Sequence, residues 1–171
     1  NSPHPEEEVL GLSDVPSFLE KSIHFGYPTP ELIIRWAQAN TFLQVMQFSL
    51  APWDFGEEAT RLCRDYSNLH LEFVPLLEKL ARQAVQTGEP VIRPVFWLAP
   101  EDERALVCDD QFLVGDEILV APVLYPKQRL RDIYIPPGTW KDYWSDKTVR
   151  GPTIIKNHPA PLEKLPFFLR I

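Results

Sequence analysis

The chain has 171 residues, of which 44% are hydrophobic, 12% aromatic and 24% charged, a composition that excludes disordered, collagen-like and coiled-coil proteins. No apolar stretch approaches the roughly 20 residues that cross a bilayer, and residues 1–10 lack the cationic and apolar regions of a signal peptide. The net charge of −7 argues against nucleic-acid binding, which depends on a basic patch. Because the chain begins without Met, we expect it to be part of a longer protein.

In the first part of the chain, residues 1–29 are rich in proline, glycine and acids and predict a loop. A helix is predicted from Pro30 to Asn40, because Thr29 can serve as its N-cap and a proline occupies its first position. Its larger apolar residues fall on one face: Leu32, Ile33 and Trp36. The near-continuous apolar run from Phe42 to Leu50 then predicts a short strand buried on both faces, as in a parallel sheet.

A long helix ending at Gly88 is the strongest secondary-structure signal. Asp54 and Glu57 have the spacing of a capping box at its start, and Pro75 is expected to kink it. Apolar residues recur at helical steps: Ala59, Leu62, Cys63, Tyr66, Leu69, Phe73, Leu77, Leu80, Ala81 and Ala84. The opposite face is charged and includes Arg61 and Arg64.

After Gly88 the pattern changes, since 11 of the 18 prolines lie there and no segment sustains a helical period. Two hairpins are predicted: Gln111 to Val114 and Ile118 to Val123 around a two-residue Gly115-Asp116 turn, and Asp132 to Ile135 and Thr139 to Trp144 around Pro136-Pro137-Gly138. Short strands at this spacing predict an antiparallel β-sandwich. The charge also divides unequally, with −6 on residues 1–88 and −1 on residues 89–171.

Motifs for metal, cofactor or nucleophilic chemistry are not found. The four histidines His4, His24, His70 and His158 lie too far apart in the sequence for a local metal site. No Gly-x-Ser-x-Gly elbow or phosphate-binding loop occurs, so neither a metal nor a cofactor is predicted. The spacing of Cys63 and Cys108 leaves their disulfide state open.

Two groups of residues suggest carbohydrate chemistry, but a structural role explains each group more simply. Asp109 and Asp110 resemble a carboxylate pair, yet neighbouring strand residues point to opposite faces, so a structural role is favoured. Trp140, Tyr143 and Trp144 could stack on a sugar, but aromatic residues in short strands are more often core.

The candidate binding residues are Gln47, Ser49 and Trp53, which lie where the predicted strand ends and the helix-capping loop begins. In parallel α/β folds ligands bind at this end of the strands. An equally good reading from spacing alone is that these polar groups are satisfied inside a barrel wall.

Five ordered motifs resemble the C-terminal part of glycoside hydrolase family 31: ELIIRWAQ at 31–38, QFSLAPW at 47–53, TGEPVIRPVF at 87–96, DDQFLVGDEILVAPV at 109–123 and RDIYIPPGTWKDYW at 131–144. The resemblance covers roughly residues 31–171. It implies a mixed α/β plus all-β fold. Residues 1–88 would be the last segment of a (β/α)8 barrel, with 1–29 unrecognised, and residues 89–171 the proximal β-sandwich domain.

Members of this family hydrolyse α-glycosidic bonds with retention, using two aspartates on earlier barrel strands, so the resemblance gives no residue here a catalytic role. Where the family's α-glucosidases have an Arg-Asn-His-like run, this chain has Gln47, Phe48 and Ser49. That form resembles the myogenesis-regulating glycosidase branch, an α-galactosidase-like group. Its implied partners are a glycoside or oligosaccharide substrate and the upstream barrel of the same protein, in a secretory-pathway lumen or outside the cell.

Two expectations distinguish this hypothesis from its rival. The rival is a non-catalytic carbohydrate-binding or interaction module, or a degenerate relative of the enzyme. If the chain is a barrel fragment, it should be inactive alone, and its barrel-facing residues should form an exposed apolar patch. That patch is expected to contain Ile33, Trp36, Phe42, Val45 and Phe48.

Overall fold

The computed structural model describes residues 28–171, so nearly all of the predicted loop at residues 1–29, with His4 and His24, lies outside the described residues. The helices are α1 (Pro30–Asn40), α2 (Glu57–Thr87) and α3 (Glu103–Leu106), with 3-10 helices at Pro52–Phe55 and Val95–Leu98. The strands are β1 (Ile92–Pro94), β2 (Phe112–Val114), β3 (Ile118–Val120), β4 (Leu130–Asp142), β5 (Thr148–Pro159) and β6 (Phe167–Arg170). None of the helices in residues 28–171 is both long and apolar enough to span a membrane.

Helix α1 has the predicted bounds, and the Thr29 hydroxyl oxygen accepts a hydrogen bond from the Leu32 N–H at 3.2 Å. Its buried face is not the predicted one. Ile34 is buried and packs with residues of α2, whereas Leu32 and Trp36 are 45% and 64% exposed. The helix is rotated in this way because two polar residues on the Ile34 side bond to loops of the β part.

Those two residues are Arg35 and Gln38, both buried. The Arg35 guanidinium donates to the carbonyl oxygens of Ala160 at 2.9 Å and Pro161 at 3.1 Å. The Gln38 side-chain amide donates to the carbonyl oxygen of Leu162 at 2.6 Å. These bonds join α1 to the segment that leads into β6.

The strand predicted from Phe42 to Leu50 does not form, and this segment has no regular structure. Phe42 is fully buried, but Val45 is 71% exposed, so the run is not buried on both faces. A parallel strand needs hydrogen-bonded neighbours. None of the six strands within residues 28–171 pairs with this segment.

Helix α2 confirms most of the predicted apolar face, of which Ala81 is exposed, and the C-terminal cap, where Gly88 at φ +79° donates its N–H to the Ala84 carbonyl at 2.9 Å. The predicted capping box is wrong, because Asp54 lies in the preceding 3-10 helix and the N-cap residue is Gly56. Gly56 has φ +95°, a conformation that side chains disfavour. The helix runs without interruption through Pro75.

The second half is antiparallel, as predicted, but its six strands form one sheet in the order β1-β2-β3-β6-β4-β5. The β2–β3 hairpin has a three-residue turn rather than the predicted two, because Val114 pairs with Ile118. Glycine is favoured at position 115, because φ is +54° and a Cβ atom would displace the Glu117 carboxylate and the Leu80 side chain of α2.

The predicted turn at Pro136-Pro137-Gly138 is also wrong. These residues lie inside the continuous strand β4, where the register with β5 shifts between Ile135 and Gly138. Proline has no N–H to donate, and a bulge is a position within a sheet that tolerates it. The Pro-Pro-Gly run therefore marks an irregularity in one long strand.

Two hydrophobic clusters lie on opposite faces of the central strands. On one face Val114, Ile118 and Phe167 pack against α2. On the other face Leu113 and Leu119 pack against residues of β4, with which β2 and β3 form no hydrogen-bonded pairs. The predicted antiparallel β-sandwich is thus formed by one sheet that folds over itself into two layers.

The core residues settle several smaller expectations. Trp140 is fully buried, and the Tyr143 ring stacks on the Phe167 ring with centroids 4.3 Å apart, so the aromatic residues near the end of β4 belong to the core. Asp110 forms a 2.8 Å ion pair with the buried Arg131, a structural role. Cys63 and Cys108 are free thiols, and burial raises the pKa of each to about 11.

Candidate functional site

The candidate site is the connection between α1 and α2, and its start is firmly anchored. The Thr41 hydroxyl donates to the Ala37 carbonyl at 2.9 Å, and the Thr41 carbonyl lies 2.8 Å from His70 Nδ1. Because a carbonyl oxygen only accepts, Nδ1 carries the proton. Phe42 packs against Phe73 and Phe167, with ring centroids 5.0 and 4.8 Å apart.

The end of the connection is fixed by a second aromatic residue. Phe55 closes the 3-10 helix and packs against the buried cluster of Ile34, Ala59 and Leu62 between α1 and α2. The chain then turns at Gly56 into α2. The residues between the Phe42 and Phe55 anchors are therefore held at both ends while most of their side chains face outward.

The three predicted binding residues all lie on this exposed stretch. Gln47 and Ser49 are exposed, and within residues 28–171 neither side chain makes a hydrogen bond. Trp53 is 71% exposed. The three side chains are thus available to a ligand. Gln47 and Ser49, however, do not line the cavity beside Trp53.

That cavity is an open depression of about 380 Å³ between the 3-10 helix and the first turns of α2. It is lined by Trp53, Gly56, Glu57, Thr60, Arg61 and Arg64. The helical pattern assigned Arg61 and Arg64 only to an outer charged face. Their spacing of three residues puts them on one side of α2, but the turn at Gly56, which brings Trp53 beside them, has no clear sequence signal.

Large apolar side chains are exposed on the connection and on α1. Trp36, Val45 and Phe48 are 64%, 71% and 37% exposed, which confirms these three members of the predicted patch. Phe42 is wrongly included in the predicted patch, because its ring lies in the core. Ile33 is partly buried, so it does not belong to the exposed set either. Exposed apolar side chains that form one patch are typical of an interaction surface.

A polar pair in the β part has a structural rather than a chemical role. One Asp142 oxygen accepts the N–H groups of Trp144 at 2.8 Å and Ser145 at 3.2 Å, and the other lies 2.8 Å from His158 Nε2. Burial opposes ionisation of Asp142, but these hydrogen bonds prevail and lower its pKa. A carboxylate with both oxygens occupied by the fold is not free to act on a ligand.

Among residues 28–171 no group of three or more His, Cys, Asp or Glu side chains is arranged to hold a metal ion. His70 and His158 each bond to a different part of the chain.

Comparisons of the sequence and of the structure with known proteins point to the same protein family. A family model described as the glycosyl hydrolase family 31 C-terminal domain matches residues 88–171. The myogenesis-regulating glycosidase of Mus musculus is 39% identical over 142 residues, covering 82% of this chain and 20% of that protein. The SITS-binding protein of Tetronarce californica is 39% identical over 168 residues, covering 95% and 24%.

Among solved structures, the GH31 dextranase of Flavobacterium johnsoniae complexed with glucose is similar over 82% of this chain and 18% of its own. The sequence identity is 33% and the TM-score 0.76. The chain thus spans about a fifth of the length of these relatives.

Proposed function

Since this chain belongs to glycosyl hydrolase family 31, with that family's C-terminal domain at residues 88–171, we propose that it is the C-terminal portion of a retaining α-glycosidase. In this proposal residues 1–88 complete a (β/α)8 barrel and the antiparallel sheet supports it. The observation that carries the proposal is the connection between α1 and α2, which is anchored at Phe42 and Phe55 and leaves Gln47, Ser49 and Trp53 exposed.

The chemistry requires two carboxylates, one that forms a glycosyl-enzyme intermediate and one that switches from general acid to general base. We assign both to the rest of the longer protein, because the chain corresponds to about a fifth of its relatives' length. The chain alone is therefore expected to be inactive. Its contribution is to bind and orient the sugar.

In the proposed sugar site, the Gln47 amide and the Ser49 hydroxyl can each donate and accept hydrogen bonds, and the Trp53 ring offers a flat apolar face. A site that hydrogen-bonds one hydroxyl epimer discriminates against the other, because a buried polar partner is then left unpaired. The resemblance of Gln47, Phe48 and Ser49 to the α-galactosidase-like branch favours an α-galactoside, and the similarity to a dextranase supports an α-glucoside as the alternative.

The exposed surface of Trp36, Val45 and Phe48 is proposed to face the upstream barrel. Apolar side chains that are exposed in the isolated chain would be buried there. This assignment is the reason for proposing that the chain functions as part of a longer protein rather than alone.

A second function is a binding module without hydrolytic activity. The observation that favours it is the relative named for binding SITS, which is 39% identical over 95% of this chain. Under this function the connection between α1 and α2 would hold a ligand without a reaction following.

The experiment compares turnover of aryl α-galactosides and aryl α-glucosides by the longer protein that contains this chain. We expect the galactosides to be hydrolysed. Gln47→Ala should lower kcat/KM by about tenfold or more, the loss of one to two hydrogen bonds to substrate. Gln86→Ala, at an exposed position near the end of α2, serves as the matched control and should leave kcat/KM unchanged.

The outcomes separate the alternatives. Preference for glucosides would overturn the galactoside assignment. Turnover of neither substrate, with saturable sugar binding retained, would support the binding module. An unchanged kcat/KM in Gln47→Ala would remove Gln47 from the site.

A further inference from the structure

The depression beside Trp53 contains a guanidinium group without a partner among residues 28–171, which a site for a neutral sugar does not need. Two guanidinium groups, those of Arg61 and Arg64, line a depression of about 380 Å³, a size suited to a single sugar residue. The whole chain has a net charge of −7, so two arginines beside an exposed tryptophan are a local basic feature on an acidic chain.

The two arginines are not equally available. Arg61 lies 3.4 Å from Asp65 one turn further along α2, and both side chains are 56% exposed. Arg64 is exposed and has no hydrogen-bond or ion-pair partner among residues 28–171. Arg64 is therefore the guanidinium in the depression that is free to bind an anion.

The other lining groups fit an amphipathic ligand. The indole ring of Trp53 is 71% exposed and presents an apolar face. The Thr60 hydroxyl donates to the Gly56 carbonyl at 2.9 Å, which leaves its oxygen able to accept a hydrogen bond from a ligand. Glu57 is the single acid in the lining and, within residues 28–171, forms no ion pair with Arg64, so the Arg64 guanidinium keeps its donors for a ligand.

We propose that the depression lined by Trp53, Thr60 and Arg64 binds a sugar residue bearing an anionic substituent, a carboxylate or a sulfate. The sugar ring lies against the Trp53 indole, and the planar guanidinium of Arg64 bonds the anionic group through two parallel N–H donors. This inference rests on the proposed function, since Trp53 belongs to the proposed pocket, and it adds the class of substrate.

A pair of probes that differ only in the anionic group tests it directly. Galacturonate and galactose are titrated into the chain, and the indole N–H signal of Trp53, assigned with Trp53→Phe, is followed by NMR. We expect galacturonate to shift that signal saturably and galactose to bind at least about tenfold more weakly, because a charge-assisted bidentate pair is lost. Inorganic sulfate is titrated as a third probe.

The variants Arg64→Gln and Arg82→Gln provide the contrast. Arg82 lies on the same helix, is 74% exposed and pairs with Glu78, outside the depression. Arg64→Gln should abolish the preference for galacturonate, and Arg82→Gln should keep it. Both positions are exposed, so folding is not at risk.

Several results would overturn the inference. These are no saturable shift with galacturonate, equal affinity for galactose, equal affinity for sulfate alone, or an unchanged preference in Arg64→Gln. The longer protein separates this inference from the proposed function. Turnover of neutral galactosides without galacturonate binding would overturn the inference and leave the proposed hydrolase function standing. Galacturonate binding without turnover of any glycoside would support the inference and overturn the hydrolase function.

Discussion

Tyr66 illustrates how a single buried side chain joins distant parts of the molecule. It lies on α2 and is 2% exposed. Its hydroxyl donates to the Glu163 carbonyl at 2.9 Å and accepts the Leu165 N–H at 2.7 Å. Burial raises the pKa of Tyr66, so the hydroxyl stays protonated and keeps both bonds.

Tyr66→Phe should lower the free energy of unfolding by about 1–3 kcal/mol, because one buried N–H and one carbonyl lose their partner without any loss of ring packing. Urea denaturation of the chain measures the change. Tyr125→Phe, at a position that is 72% exposed, is the control and should change stability by less than about 0.5 kcal/mol. Equal stability of both variants would contradict the role given to the Tyr66 hydroxyl.

The sequence allows part of this residue-scale account to be predicted. Helical spacing identifies Tyr66 as buried, but the groups that bond its hydroxyl lie 97 and 99 residues further along the chain. Spacing carries no information about such distant contacts. For the same reason the sequence singled out Trp53 but not its neighbour Arg64, which the turn at Gly56 brings to it.

At the scale of elements, the hydrogen bond between Asp142 at the end of β4 and His158 near the end of β5 joins two strands that are neighbours in the sheet. The pKa of Asp142 is lowered in the folded chain. A lowered pKa means that the folded state binds this proton less readily than the unfolded state. The stability that Asp142 contributes is therefore present above its unfolded value near 3.8 and is lost as the pH falls below it.

Asp142→Asn should accordingly be less stable at pH 7 by about 1–3 kcal/mol, since it loses charge-assisted bonds, and its stability should fall less than that of the wild type between pH 5 and pH 2. Urea midpoints measured across this range give the comparison. Asp109→Asn, at an exposed position, should follow the wild-type curve. Parallel curves for the wild type and Asp142→Asn would show that Asp142 does not titrate as described.

Elements with a strong local signal were predicted well, and elements that depend on distant partners were not. The apolar repeat of α2 and its Gly88 cap are local, and both are confirmed. The run from Phe42 to Leu50 has the composition of a strand but no strand beside it. Pro136-Pro137-Gly138 has the composition of a turn, but its pairing with β5 keeps the strand continuous.

For the whole molecule, the decisive contact is the one that fixes α1 against the β part. Arg35 is 7% exposed and donates to backbone carbonyls of Gln128, Ala160 and Pro161. The helical and β parts should therefore unfold together, because these bonds cannot persist when either part is lost. The sequence does not predict this contact, since α1 was assigned a different buried face.

Arg35→Met should lower the free energy of unfolding by about 2–4 kcal/mol, because three carbonyl oxygens lose a buried donor while the aliphatic stem is retained. Denaturation followed by both tryptophan fluorescence and circular dichroism tests this. The wild type should give coincident transitions by the two probes. Arg82→Met is the exposed control, and a loss as large as that of Arg35→Met would contradict the account.

Cys63 and Cys108 are both free thiols, and this determines how the fold responds to redox conditions. With a pKa of about 11, roughly one thiol in ten thousand is ionised at pH 7, and the thiolate is the form that oxidants attack. Cys63 is also buried, and no bond to Cys108 holds the fold together. The described fold therefore needs no oxidising environment, and glutathione or an oxidant should leave its architecture unchanged.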